Sequence, residues 1–255
     1  MRIIDVHAHL DDERFADDLE QVLLRAEQVG VCRMISVGTN AESSGRCVGL
    51  ARRYPDRIRA SVGIHPNRWA EAGDAEWERV CELAERPQVV AVGETGLDYH
   101  HEYTPKDEQK HGFRRHVELS QRTGKPLIIH ARRSDDDAIA LLAEFAGELT
   151  GVRHCFDRPG ELMDRYLELG LHVSIGAAVT RPGYKKFKAA VRRLPAERLL
   201  VETDCPYQSP ASRSGNRNEP AYIVETLKAI ARLRETTVED IADLTTRNAR
   251  RLFGL

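Results

Sequence analysis

The chain is predicted to fold as a (β/α)8 barrel with a metal site at the C-terminal face of its strands, and three observations lead there. Short β-branched runs alternate with longer amphipathic ones from end to end, the mark of repeated βαβ units and a parallel sheet. Eight such units in 255 residues match the usual length of one undivided α/β barrel. An open doubly wound sheet is the alternative. The first strand, however, runs into His7-Ala8-His9, where that fold would carry a glycine-rich phosphate loop.

Strands are expected at residues 2–7, 33–37, 58–64, 89–93, 127–130, 152–155, 172–175 and 199–202. Between the first two, residues 17–29 set Leu19, Val22, Leu23 and Ala26 on one face at the helical period. Helix starts carry chemical marks: Thr104 as the cap, Pro105 at the first helical position and Asp107 to complete a capping box. Ser134 with Asp137 and Thr237 with Asp240 repeat that spacing. Gly30, Gly124 and Gly170 stand just before strands, where a left-handed residue closes a helix. No low-complexity linker or charged tail interrupts the series, so residues 1–255 read as a single domain.

Lys plus Arg number 38 against 40 Asp plus Glu, a net charge of −2, which excludes the global basic footprint of a non-specific nucleic-acid binder. Any anionic substrate has to be caught locally. The cysteines, Cys32, Cys47, Cys81, Cys155 and Cys205, are odd in number and widely spaced, which argues against a disulfide framework or a zinc ribbon. Reduced thiols in a cytoplasmic protein are the simpler expectation. No signal-peptide pattern opens the chain, and no run approaches the ~20 apolar residues of a membrane span.

Six potential metal ligands sit at the ends of five of these strands: His7 and His9, Glu94, His130, His154 and Asp204. Two imidazoles two residues apart on an extended backbone share a side and can share a cation. Asp5 is expected to point away from them, in a supporting role. Glu94 closes the buried run Val89 to Gly93, and because a carboxylate has two oxygens it is the natural bridge between two cations. A lone histidine at a strand end is usually a satisfied polar group. Four histidines and two carboxylates at the mouth of one barrel are not explained that way.

Several neighbours have milder explanations. Asp98 reads as a turn or helix cap, and His65 as a substrate contact or a support for the ligands. His172 reads as a surface residue, and His100, His101, His111 and His116 as solvated. Cys155 and Cys205 follow His154 and Asp204, so strand alternation should turn both thiols away from the site.

Read in order, Asp5-Val6-His7-Ala8-His9, Gly93-Glu94-Thr95-Gly96-Leu97-Asp98-Tyr99, Ile129-His130-Ala131-Arg132, His154-Cys155-Phe156 and Glu202-Thr203-Asp204-Cys205-Pro206-Tyr207 make the chain resemble a TatD-family hydrolase. That family lies in the amidohydrolase superfamily and contains metal-dependent deoxyribonucleases. The resemblance covers essentially the whole chain, including Gly63-Ile64-His65-Pro66 and Arg217-Asn218-Glu219-Pro220. It implies one metal on His7, His9, Glu94 and Asp204, and another on Glu94, His130 and His154. One departure is Phe156 leading into Asp157-Arg158-Pro159-Gly160, where the family commonly has Ser-Gly.

The resemblance further implies a two-metal phosphodiesterase, with Asp204 taking the proton of the attacking water and Glu94 bridging. Magnesium or manganese would serve in function, although a histidine-rich set also suits zinc or nickel. Arg132 matches the family's H-x-R pattern as a phosphate contact, with Arg133, Arg213 and Arg217 as further candidates. The basic stretch from Lys185 to Arg193 reads equally as a solvated barrel helix. Tyr99, Trp69 and Tyr207 are candidates to stack on unpaired bases, at about 1–3 kcal/mol each, or else pack beneath loops. The expected substrate is DNA, as single strands or ends, with RNA also open, and the expected state is a monomer without a membrane partner. A hydrolase of a small ester, lactone or amide is the competing enzyme reading, and a catalytically silent assembly component the competing non-enzyme reading.

Overall fold

A computed structural model describes residues 1–255 apart from 102 and 146. Eight parallel strands run in the order β1 (Ile3–Ala8), β2 (Val31–Val37), β3 (Ile58–Val62), β4 (Val89–Asp98), β5 (Leu127–Arg132), β6 (Gly151–Arg153), β7 (His172–Ile175) and β8 (Leu199–Val201), each beside its sequence neighbour. The ring closes where Ala8 pairs with Cys205, through His9 N–H to Cys205 O at 2.7 Å and Asp204 N–H to His7 O at 2.9 Å. This is the (β/α)8 barrel; the open sheet is excluded by that seam.

Helices fill the crossovers: α1 (Leu19–Gln28), α2 (Ala41–Arg53), α3 (Asp74–Ala84), α4 (Lys106–Thr123), α5 (Asp135–Ala143), α6 (Gly160–Glu168) and α7 (Lys185–Arg193). After β8 come α8 (Ile223–Arg234) and α9 (Val238–Phe253). Most strand side chains are buried on both faces, as a parallel sheet wrapped in helices requires, with Arg132 at the end of β5 the exposed one. Ile4, Val6, Ile35, Val37, Ala91, Ile128, Val152 and Leu200 fill the barrel interior together with Ala249 and Phe253 of α9. In α1, Val22, Leu23 and Ala26 are buried at the expected spacing.

Helix boundaries separate the sound chemical signals from the unsound. Thr237 and Asp240 form the capping box of α9, side chain to backbone in both directions. Neither other pair does. Pro105 stands before α4 rather than inside it, and Thr104 Oγ1 accepts the Ala70 N–H instead. Ser134 flanks α5 but donates to Leu97 O at 2.7 Å, while Asp137 pairs with Lys110 and Tyr99. Tertiary partners won both serine and threonine away from their local roles. Gly30, Gly124 and Gly170 all adopt the left-handed backbone expected of them, at φ 96°, 66° and 80°.

The strand that matters most is longer than its sequence suggests. β4 continues through Glu94 to Asp98 instead of stopping at Gly93, because Gly93 (φ 144°) and Gly96 (φ 134°) admit a close approach by β5. A Cβ on Gly93 would sit 2.6 Å from Ile128 O, and one on Gly96 would overlap His130 O. Two glycines therefore let β4 press its carboxylates against the strand that carries His130.

Candidate metal centre

β1 delivers His7, and His9 follows just beyond its end, with their Nε2 atoms 3.2 Å apart. The barrel seam brings Asp204 onto the same point: its Oδ1 lies 3.6 Å from His7 Nε2 and 3.5 Å from His9 Nε2. Glu94 Oε2 completes the group at 3.5 Å and 3.6 Å from the same two nitrogens. Four ligands on a cation at about 2.0–2.1 Å form a tetrahedron whose edges are roughly 3.4 Å. The five edges that run through His7 and His9, 3.2–3.6 Å, match that figure.

The other Glu94 oxygen makes a second corner. Oε1 is 2.8 Å from His130 Nδ1 and 3.0 Å from His154 Nε2, which are 3.3 Å from each other. One carboxylate thus turns an oxygen to each of two groups of polar side chains. Around them His154 stacks on His7 at 4.0 Å between ring centroids, and His65 Nε2 stands 3.6 Å from Glu94 Oε1.

Burying six polar side chains together is costly unless their charges compensate. Burial alone would raise the Glu94 carboxyl, but His154, His65 and His130 hold it well below the usual carboxylate range. Asp204 is likewise held down against burial by His9 and His7. Burial opposes a proton on His9 and His154, yet Asp204 and Glu94 push His9 up to about 9, and Glu94 and Glu202 push His154 up to about 10. His7 goes the other way, lowered by burial and by the charge of His154. The carboxylates thus favour a proton on His9 and on His154, and a divalent cation would satisfy the same negative charge.

Sequence and structure comparisons agree on what this arrangement belongs to. A family model described as TatD related DNase matches residues 4–254. The chain belongs to the TatD family of metal-dependent hydrolases. It is 38% identical to the uncharacterized metal-dependent hydrolase YabD of Bacillus subtilis, over 99% of both chains. It is 36% identical to a protein of Edwardsiella piscicida named 3'-5' ssDNA/RNA exonuclease TatD, over 99% of this chain and 100% of that one. Among solved structures, the TatD homolog YJJV of Escherichia coli superposes with a TM-score of 0.94 at 30% identity, covering 100% of this chain and 98% of that one.

Within this TatD chain the predicted contacts fare unequally. Arg132 and Arg133 are exposed where β5 ends. Arg217 is not free: its guanidinium forks onto Asp18 at 2.7 and 2.8 Å, reaches Arg14 O and lies over Phe15, so it fastens the loop after β8 to the start of α1. Tyr99 is half-buried, with its hydroxyl on Asp137 and Lys106 over its ring. Trp69 is packed against Trp77 and His116. Tyr207 stands exposed, edge-on to His9 and beneath Arg14.

Three milder expectations need correction. His116 is fully buried, accepting the Ile64 N–H at 3.0 Å and meeting Gly112 O at 2.7 Å. His172 is buried at the start of β7. Cys155 is half-buried rather than packed, because β6 has ended and the residue adopts φ 48°; its sulfur accepts from Gln208. Cys205 is packed as expected. Asp98 does cap its turn, accepting from His100 and His101, but its second oxygen faces His130 at 3.3 Å.

Asp5 plays the supporting part: one oxygen accepts the N–H groups of His7 and Thr203, the other the Thr203 hydroxyl. Sequence reasoning missed Glu202, which is fully buried behind His154. Its place two residues before Asp204, at the end of an apolar run, was the available signal.

Proposed function

We propose that this chain is a divalent-cation-dependent phosphodiesterase that removes nucleotides from single-stranded DNA or DNA ends, with RNA as a second substrate. The observation that carries the proposal is the divided Glu94 carboxylate, with Oε2 among His7, His9 and Asp204 and Oε1 between His130 and His154. The nuclease names carried by relatives at about 35% identity support the choice of substrate.

The donor set suits a pair of divalent cations. His7, His9 and Asp204 with Glu94 Oε2 would hold one, and Glu94, His130 and His154 the other. When bound, such a pair polarises a phosphoryl oxygen and makes water acidic enough to attack at neutral pH. The chain's own residues do the rest. Asp204 has a second carboxylate oxygen beyond the Oδ1 that faces the histidines, and that oxygen accepts the proton of the attacking water. Arg132, exposed at the end of β5 beside the His130 it follows, holds a substrate phosphate with its planar fork. Magnesium or manganese supports turnover, while zinc or nickel binds the histidine-rich set more tightly.

The test is an assay of metal-stripped chain resupplied with magnesium, manganese, zinc or nickel. End-labelled single- and double-stranded DNA and RNA are offered beside a panel of esters and lactones. Stepwise shortening of single-stranded DNA is expected. Hydrolysis confined to the esters or lactones would overturn the proposal.

A further inference from the structure

The two histidines of the Glu94 Oε1 corner are each backed by a buried carboxylate that the ligand set does not use. His130 presents Nδ1 to Glu94 and Nε2 to Asp98 Oδ2, at 3.3 Å. His154 presents Nε2 to Glu94, and its Nδ1 lies 3.5 Å from Glu202 Oε1. Neither His154 Nδ1 nor Glu202 Oε1 has a hydrogen-bond partner among the described residues, so each is the nearest remedy for the other. The other corner is backed differently. Among the described residues His9 Nδ1 meets the Val37 carbonyl at 3.1 Å and no carboxylate, and His7 Nδ1 has no hydrogen-bond partner, although a ring nitrogen of His7 lies within 4.8 Å of Glu202.

We propose that Asp98 and Glu202 are positioning residues: each takes the N–H on the far side of its histidine, leaving the near nitrogen's lone pair for the cation at Glu94 Oε1. The inference rests on the two-cation reading above. A neutral imidazole carries one proton, and the hydrogen bond behind the ring decides which nitrogen keeps it. A carboxylate can only accept, so it fixes the tautomer and makes the ligating nitrogen more basic.

Each carboxylate is itself held so that one oxygen is committed and the other left for the histidine. Asp98 Oδ1 accepts the N–H groups of His100 at 2.9 Å and His101 at 3.2 Å, leaving Oδ2 for His130 with Asn67 and His101 beside it. Glu202 Oε2 accepts the Ser174 hydroxyl, leaving Oε1 for His154. An amide in place of either would keep the committed oxygen and turn its NH2 toward the ring. The histidine would then have to accept, and its proton would move to the nitrogen the cation needs.

The experiment titrates Zn²⁺ alone, against a competing chelator, into metal-stripped wild type, Asp98→Asn and Glu202→Gln. It reads the number of ions, both dissociation constants and the melting temperature of the metal-free form. Expected are two ions for wild type, and for each variant one dissociation constant weakened about 10–100-fold while the other holds. The metal-free melting temperatures should stay together. Asn67→Ala, which removes another Asp98 partner and spares His130, should leave both constants unchanged. Two ions bound at wild-type affinity in both variants would overturn the inference and leave the two-cation reading standing. A wild-type chain that takes one ion overturns both. Should a variant melt early, ¹⁵N spectra of the Zn²⁺-loaded wild type decide instead. A slowly exchanging N–H on His130 Nε2 and His154 Nδ1 is expected, and rapid exchange at both refutes the assignment.

Discussion

Acid should destabilise this barrel through His116, a residue that touches no ligand. The ring is fully buried between Trp69 and Trp77, its Nε2 accepting from Ile64 N–H just before His65. Burial, with help from Arg115, pushes it down to about 4 although the Gly112 carbonyl pulls upward. The unfolded chain, at about 6.5, therefore binds a proton that the folded chain refuses. The contribution to stability is complete above about pH 6.5 and is lost as pH falls toward 4. Between pH 7 and pH 5 the linkage integral gives a loss of about 2 kcal/mol from this one group, or roughly 4–8 °C in melting temperature for a chain of this size. His172, held near 4 by burial and Arg198, adds to the same slope, so a difference measurement is needed. His116→Gln keeps an acceptor for Ile64 N–H and cannot titrate. At pH 7 the variant should be less stable, having lost the ring packed between two indoles. At pH 5 the gap should shrink by about 2 kcal/mol. Thermal melts of both proteins in chelator across pH 5–8 measure it. Parallel stability curves would refute the argument that the buried ring stays neutral.

Other expectations follow from the centre itself. Glu94→Gln removes the charge shared by both corners, so bound metal and turnover should fall together, the latter by 10³-fold or more on the general scale of lost charge stabilisation. Asp204→Asn should cut turnover at least 100-fold while metal content, measured by emission spectroscopy, changes less. Arg132→Ala should raise KM for single-stranded DNA without moving the melting temperature; Arg217→Ala should lower the melting temperature without a selective change in KM. Gly96→Ala should cost about 3 kcal/mol or more and reduce metal binding, because the added methyl collides with the His130 carbonyl and the backbone disfavours φ 134° for alanine.

What the sequence made legible was whatever depends on local period or on the ends of strands. Alternating runs pointed to eight strands in order, and the candidate ligands at five strand ends had to meet once the barrel closed through Ala8 and Cys205. What escaped was decided by partners far along the chain. Ser134 and Thr104 satisfy local cap patterns on paper, yet each oxygen is taken by a backbone group more than thirty residues away. His116 sits on a helix of mostly polar composition and still faces inward, because Ile64, just past the end of β3, supplies an amide that needs an acceptor. Arg217 looks like a phosphate contact in a loop until Asp18 folds back to meet it.

Asp98 teaches the most. As a cap it explains two amides, and a one-role assignment would end there. Glu94 and Asp98 are four residues apart on one strand, however, and even spacing sets side chains on a common face. Had β4 been expected to run on past Gly93, that parity alone would have aimed Asp98 at the ligands. The short reading of β4 and the unread second oxygen of Asp98 thus share one source, a glycine read as a strand end when it marks a close approach of two backbones.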